Sequence, residues 1–243
     1  MTSRFIFILL LLCMASACKT VSINQETYRV TSDGVLLGSI GIGKDYVLEE
    51  DYTSTAFIEY QKSIKLSSSI LRFTKKTYRL FIEASSKQSN GLGINYIDSL
   101  VQKPKFVQLS IADKVIVMEQ LNNSQNEKLN DYLKIQPEAN LITSISLALN
   151  QENLNQLQNA ESVFLTQSGY KRFVIEFYKK KELIGQIEVN EGVVFAYETS
   201  SFCWKENNRR QLQVVDIVNG DPCPKRTYSK SRKAKKEENY FKF

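Results

Sequence analysis

The chemistry open to this chain is limited first by a residue type it lacks. None of its 243 residues is histidine. That removes the Ser-His and Cys-His nucleophile systems, the commonest acid–base group near neutral pH and the commonest zinc ligand. Three other patterns have spacings that could do chemistry. Gly38-x-x-x-x-Gly43-Lys44 has the spacing of a phosphate-binding loop, but Asp45 stands where Ser or Thr should hold Mg²⁺. An anion there would repel phosphates, and the flanking pattern is that of a hairpin, so glycine-rich strand edges are the expected reading. Ser168-Gly169-Tyr170-Lys171 spells S-x-x-K, a spacing that can pair a nucleophilic serine with a lysine. That serine should open a helix, whereas Gly169 marks a turn into a strand; a turn serine is expected. Asp45, Glu49, Glu50 and Asp51 are the densest acids of the body. Hard cations want several such oxygens, but the order and glycine of an EF-hand are missing, so a solvated acidic loop is expected. These patterns predict no cofactor and no metal.

The N-terminus is more specific. Arg4 precedes an apolar run, Phe5–Leu12, then Cys13-Met14, the small residues Ala15-Ser16-Ala17, and Cys18. A bilayer span needs roughly 20 apolar residues, about twice this run. The order of cation, short apolar segment and small residues is that of a secretory signal peptide. Ala15-Ser16-Ala17-Cys18 resembles the lipobox of bacterial lipoproteins, with Ala15 where leucine is usual. The resemblance covers residues 1–18. It implies cleavage before Cys18, a diacylglyceryl thioether on its sulfur and a third fatty chain, such as palmitate, on its amine. Two such chains already anchor stably. Ala-x-Ala also suits ordinary signal peptidase, which would release a soluble protein, and a helix retained in the core is the third alternative. Lys19 is not the aspartate associated with inner-membrane retention, which favours the outer membrane of a diderm bacterium.

Export would set the redox state of the remaining thiols. Cys203 and Cys223 lie in a compartment where cysteines oxidise. A disulfide between them would close a loop of about 20 residues, worth roughly 3 kcal/mol in the chain-entropy picture. Two free thiols, or a metal pair lacking other ligands, are the alternatives.

The net charge of +6 is unevenly spread. Residues 225–243 hold eight cations against Glu237 and Glu238, so the rest of the chain is close to neutral. Lys225, Arg226, Lys230, Arg232, Lys233, Lys235 and Lys236 are the candidate contacts for a polyanion or partner, with Lys242 beyond them. Tyr228, Tyr240, Phe241 and Phe243 are interleaved. Outside the cell nucleic acid is not the expected partner. Lipopolysaccharide phosphates, anionic lipid headgroups or an acidic protein are, at about 1 kcal/mol per basic residue near an anionic surface. A solvated tail is the reading expected first, docking on such a polyanion the second, and a last strand over Asn239–Phe243 the third.

These groups need a scaffold. At 42% hydrophobic and 11% aromatic residues, the chain can bury a core as one domain or two small ones. Residues 18–25 are expected to be an acylated tether with a reach of about 15 Å, residues 26–224 the globular body, and 225–243 the basic tail. Asp33-Gly34 predicts a hairpin between Thr27–Thr31 and Val35–Ile40. Ala56–Leu66, Ile70–Phe73 and Thr77–Ala84 are further candidate strands, and 85–104 is the candidate break between two lobes. Alternation through Val107, Leu109 and Ile111 predicts a strand, followed by a helix capped by Asp113 through Leu121. Ser124-x-x-Glu127 is a capping box. Ile145, Leu147 and Leu149 alternate before a cap at Asn150 and a helix bearing Leu154 and Leu157. The repeated strand–Asx–helix order hints at a degenerate duplication. Lys171–Tyr178, Leu183–Val189, Val193–Thr199 and Gln211–Val218 complete the expected strands.

The fold class expected is α+β, strand-dominated, with an antiparallel meander in the C-terminal half and two or three short helices. The function expected is that of a lipid-anchored envelope protein with a non-enzymatic binding or scaffolding role, using the tail and the surface around Trp204. The alternatives are a histidine-independent hydrolase of envelope glycans working with two carboxylates, and an inhibitor or immunity lipoprotein.

Overall fold

The computed structural model describes residues 20–45, 50–88, 91–99, 101–169 and 172–236. Among them the chain forms, in order, β1 (Thr20–Ile23), β2 (Glu26–Val30), β3 (Ser39–Asp45), β4 (Glu50–Phe57), β5 (Ile64–Arg72), α1 (Lys75–Gln88), β6 (Lys105–Ile111), α2 (Lys114–Leu121), α3 (Glu127–Ile135), β7 (Asn140–Ala148), α4 (Gln151–Asn159), β8 (Ser162–Gly169), β9 (Arg172–Lys179), β10 (Glu182–Glu188), β11 (Val193–Glu206), β12 (Leu212–Val218) and α5 (Ser231–Lys236). All strand pairs are antiparallel, and the main path runs β1-β2-β11-β7-β6-β5-β8-β9-β10. The α+β, strand-dominated class is what the composition and alternation predict. Its meander is β8–β9–β10.

β7 and β11 form the centre because their sequences are buried on both faces. β7 pairs with β11 along one edge, while β6 and the tip of β3 share the other. β11 holds β2 at Ala196 and Tyr197 and β12 from Ser201 to Glu206. The sheet therefore forks at both central strands. Leu109, Ile145, Leu147, Ile175, Phe177, Tyr197 and Trp204 build the larger core on one face. Phe73, Phe81, Phe106 and Phe195 build the smaller one on the other.

α1 covers that smaller core. Thr77, Phe81 and Ala84 are its buried stripe, the spacing of one helix face. Its start is fixed by reciprocal bonds: Thr77 N donates to Thr74 Oγ1 at 3.2 Å and Thr74 N to Thr77 Oγ1 at 2.9 Å. Thr77–Ala84 is thus helix and not the expected strand; its Tyr, Phe and Ile residues mask a 3.6-residue period. Strands on either side of 85–104 pair directly, from Leu66↔Ile111 to Arg72↔Lys105, so that segment leads from α1 back into the same sheet.

Other expectations are corrected at turns. Asp33-Gly34 does not close a hairpin. β2 instead pairs with β1 through Asn24-Gln25, both at positive φ (51° and 70°), as two-residue hairpins require. From Thr20 the expected tether is already strand, with Val21 and Ile23 buried. Ala56–Leu66 spans the end of β4, a loop and the start of β5, and Ile70–Phe73 is mostly the end of β5. Asp113 and Asn150 do cap α2 and α4, accepting from Ile116 N at 3.1 Å and Asn153 N at 2.8 Å. The Ser124–Glu127 box does not form; Asn123 caps a 3₁₀ turn there, and α3 starts at Glu127. β11 leaves the expected meander for the middle of the sheet.

Candidate functional site

The basic segment is fastened to the body from Cys223 to Lys236. Cys203 and Cys223 form a disulfide with Cα atoms 5.7 Å apart. Trp204 N donates to Tyr228 O at 2.7 Å and Tyr228 N to Trp204 O at 3.0 Å. Ser231 Oγ donates to Lys134 O at 2.8 Å, and Ala234 is buried. Between these anchors Lys225, Arg226, Lys230, Arg232 and Lys233 are exposed, as is Lys235 just past Ala234; Lys236 closes α5. Residues 225–236 are therefore a strap across the end of β11. Trp204 is 2% exposed, so the indole supports the strap from below and is not itself a contact surface. Glu237–Phe243, with Lys242, Tyr240, Phe241 and Phe243, lies outside the described residues.

Beside the strap lies a groove of about 500 Å³, walled by the α2–α3 connection, α3, the β11–β12 turn and α5. Lys134, Arg210 and Lys235 face it, with Glu127 the acid in its lining. A second groove of about 570 Å³, with Lys205, Arg209 and Glu206, flanks the same turn, and Gln211 and Gln213 line both. The turn is pinned by Asn207: its Oδ1 accepts from Arg209 N and Gln211 N, each at 2.9 Å. This places Arg210 at φ 59°, left-handed backbone that favours glycine. The start of β12 is held from outside by Asn122, whose amide accepts from Val214 N at 3.0 Å and donates to Val214 O at 2.7 Å. Lys134 also pairs with Asp131 at 2.8 Å.

The sequence reading missed Lys134, Arg209 and Arg210. Their signal was Asn207-Asn208-Arg209-Arg210, a polar, doubly basic turn between two strands ending beside the strap. Lys134 carried none, because its proximity depends on how α3 packs.

A polar patch interrupts the sheet face next to the smaller core. Tyr28 Oη donates to Glu26 Oε2 at 2.9 Å and lies 3.1 Å from Ser144 Oγ. Gln108 Nε2 donates to Glu26 Oε2 at 3.1 Å and, at short range, to Tyr28 Oη. Ser110 and Ser144 hydroxyls are 2.6 Å apart. Glu198, on β11, accepts a short hydrogen bond from Asn219 Nδ2. Burial makes the Glu198 carboxyl a weaker acid than usual, raising its pKa; Glu26 adds to the rise, and Asn219 and Lys114 oppose it. Burial likewise holds the Tyr28 phenol well above its usual range. The Gln108 Oε1 and Ser146 Oγ atoms are buried without a hydrogen-bond partner among the described residues. They sit on cross-strand neighbours.

Of the other candidates, the glycine motif lies within β3 except for Gly38, which precedes it at φ 81°. A side chain at Gly41 would strike the Thr53 carbonyl oxygen and the Tyr52 ring, so this glycine serves strand packing. Ser168 is exposed near the end of β8, and Lys171 lies outside the described residues. So do Cys18, Glu49 and the side chains of Asp45, Glu50 and Asp51. Among the described residues no group of three or more His, Cys, Asp or Glu could hold a metal, and no helix is long and apolar enough to cross a membrane. No protein-family model matches the chain, and no curated protein matches it significantly.

Proposed function

We propose that the chain is a lipid-anchored protein of the cell envelope, held through Cys18, whose non-enzymatic role is to bind an anionic envelope component through the strap at 225–236. One observation carries this reading. The strap is fixed by a disulfide, a two-bond bridge to Trp204, the Ser231 bond and the burial of Ala234, while five cations between these points and Lys235 just beyond them stay exposed. Ordering a loose backbone costs about 1–2 kcal/mol per residue. A strap ordered in advance avoids that cost on binding.

The test captures envelope components with the full chain and with Lys230, Arg232 and Lys233 replaced by alanine. The parent retains an anionic component that is released by salt, and the variant loses most of it. Equal recovery by both overturns the role of the strap. Labelling with a fatty-acid probe should mark the parent and not Cys18→Ala; a native chain starting at an unmodified Met1 would refute the anchor.

Glu198 and the nearby Glu26 favour a second reading, a histidine-independent hydrolase, because a carboxyl made a weaker acid by burial and by a second carboxylate is the arrangement glycosidases use. Hydrolysis of envelope glycans that disappears in both Glu26→Gln and Glu198→Gln would put this reading first. The four surface grooves at hand each contain a single carboxylate: Glu206, Glu127, Glu161 and Glu59.

A further inference from the structure

The strap's cations belong to a wider surface whose chemistry is more specific than positive charge. We propose that the two grooves flanking the β11–β12 turn form one binding strip for an acidic oligosaccharide, at the end of the sheet remote from Thr20. The proposal rests on the envelope-binding reading above and names its ligand and its site.

The charge comes from three separate stretches of chain. Lys134 projects from α3, Arg209 and Arg210 from the β11–β12 turn, Lys205 from the end of β11 and Lys235 from α5. Two acids in the lining, Glu206 and Glu127, oppose these five cations, and Asp131 pairs with Lys134 from outside it. Such a field suits carboxylates or phosphates, and the guanidinium fork of an arginine matches either one bidentately. The spaces between the cations are lined by amides. Asn122 is occupied by the Val214 backbone, but the side chains of Asn208 and Gln213 make no hydrogen bond among the described residues. A primary amide offers two donors and a carbonyl acceptor, which complements sugar hydroxyls. An acidic peptide would need apolar pockets for its other side chains, and polar residues dominate this lining. Each groove, at about 500 and 570 Å³, falls within the size range of small-ligand sites.

Position separates this ligand from the headgroups of the anchoring bilayer. Thr20 pairs with Arg29, and Arg29 with Tyr197 of β11. From Tyr197 the strand continues nine residues to Glu206 and the turn, about 30 Å at the strand rise. Only Lys19 separates Thr20 from Cys18. A body tethered there holds the turn toward the space beyond the membrane.

The test uses the full chain in detergent and measures binding of oligogalacturonate, phosphorylated oligomannose, neutral maltohexaose, poly-glutamate and phosphatidylglycerol vesicles. The expected result is binding of at least one acidic oligosaccharide, with maltohexaose weaker by tenfold or more. Arg210→Ala and Lys235→Ala should each weaken it three- to tenfold and flatten its salt dependence. Gln213→Ala should weaken it while leaving the salt dependence unchanged, a signature that a purely electrostatic patch cannot produce. Circular dichroism verifies that each variant is folded. Poly-glutamate or vesicles bound as tightly as the acidic sugars, or sugar binding indifferent to Arg210 and Gln213, overturns the strip. No binding by any probe likewise overturns the strip, while the envelope-binding reading stands or falls on the capture by the parent and the Lys230, Arg232, Lys233 variant.

Discussion

Glu198 and Arg210 are held under opposite kinds of stress, and each gives a prediction at the level of one side chain. The native state disfavours the charged form of Glu198, through burial first and the nearby Glu26 second. Its carboxyl therefore titrates above the ordinary 4.5, and the folded protein binds that proton more tightly than the unfolded chain. The stabilisation linked to protonation is complete below about 4.5 and is lost as pH rises through the raised native value. Glu198→Gln keeps an acceptor for Asn219 without the charge. Its melting temperature should exceed the parent's at pH 7, and the gap should close toward pH 4; a constant gap would mean that the buried charge costs nothing. Arg210 is strained in its backbone, since a left-handed conformation costs a non-glycine residue about 1–2 kcal/mol. Arg210→Gly relieves this but adds chain entropy to the unfolded state. A net gain of about 0.5–1 kcal/mol is expected by urea unfolding, with no gain for Arg210→Ala. If both variants lose ligand while only glycine gains stability, the strain is retained for what the side chain does outside.

The elements divide into those that make the core and one that closes it. Phe73 follows β5, is fully buried and touches the rings of Tyr78, Phe81, Phe106 and Phe195, with centroids 4.9 to 5.9 Å away. Phe73→Ala should cost about 3–5 kcal/mol and loosen α1, read as a lower denaturation midpoint and faster amide exchange in Thr77–Ala84. The strap depends less on such packing. Cys223→Ala removes closure of the loop, worth roughly 3 kcal/mol, yet leaves β11 and β12 paired. Near-native sheet content with protease cleavage confined to 219–236 is expected; cleavage spread through the sheet would make the strap part of the folding core. Much of this was legible in the sequence. The alternating Val107–Leu109–Ile111 and Ile145–Leu147 and the caps Asp113 and Asn150 rested on local patterns, the disulfide on the expectation of export; the structure contains the strands, the caps and the disulfide. The α1 stripe was not legible, because Tyr78, Phe81 and Ile82 suit a strand as well as a helix. Nor was the use of side-chain amides in place of missing strands. Asn126 pairs with both backbone groups of Glu59, Asn122 with those of Val214 and Gln88 with those of Val194, and in sequence these are ordinary polar residues.

At the scale of the whole molecule, the sheet converts positions along the chain into distance from the expected anchor. The sequence located the cations and the candidate anchor separately; only the strand register relates them, because Thr20 aligns through Arg29 with the middle of β11 while the basic turn lies at that strand's end. The candidate site was legible as a charge run at 225–236, but its second wall, from Lys134 to Arg210, required the fold. The arrangement makes a prediction that composition could not. Ser22 and Asn208 are both exposed, one beside the N-terminal end and one at the far turn. Each can be replaced by cysteine, labelled with a fluorophore and studied on the lipidated chain in vesicles carrying a headgroup quencher. Quenching falls steeply over distances far shorter than the roughly 30 Å implied by the strand rise, so the Ser22 label should be strongly quenched and the Asn208 label should not. Equal quenching would mean that the body lies along the bilayer. The basic turn would then meet anionic headgroups first, and the strip proposed for an acidic glycan would instead be the membrane-facing side of the molecule.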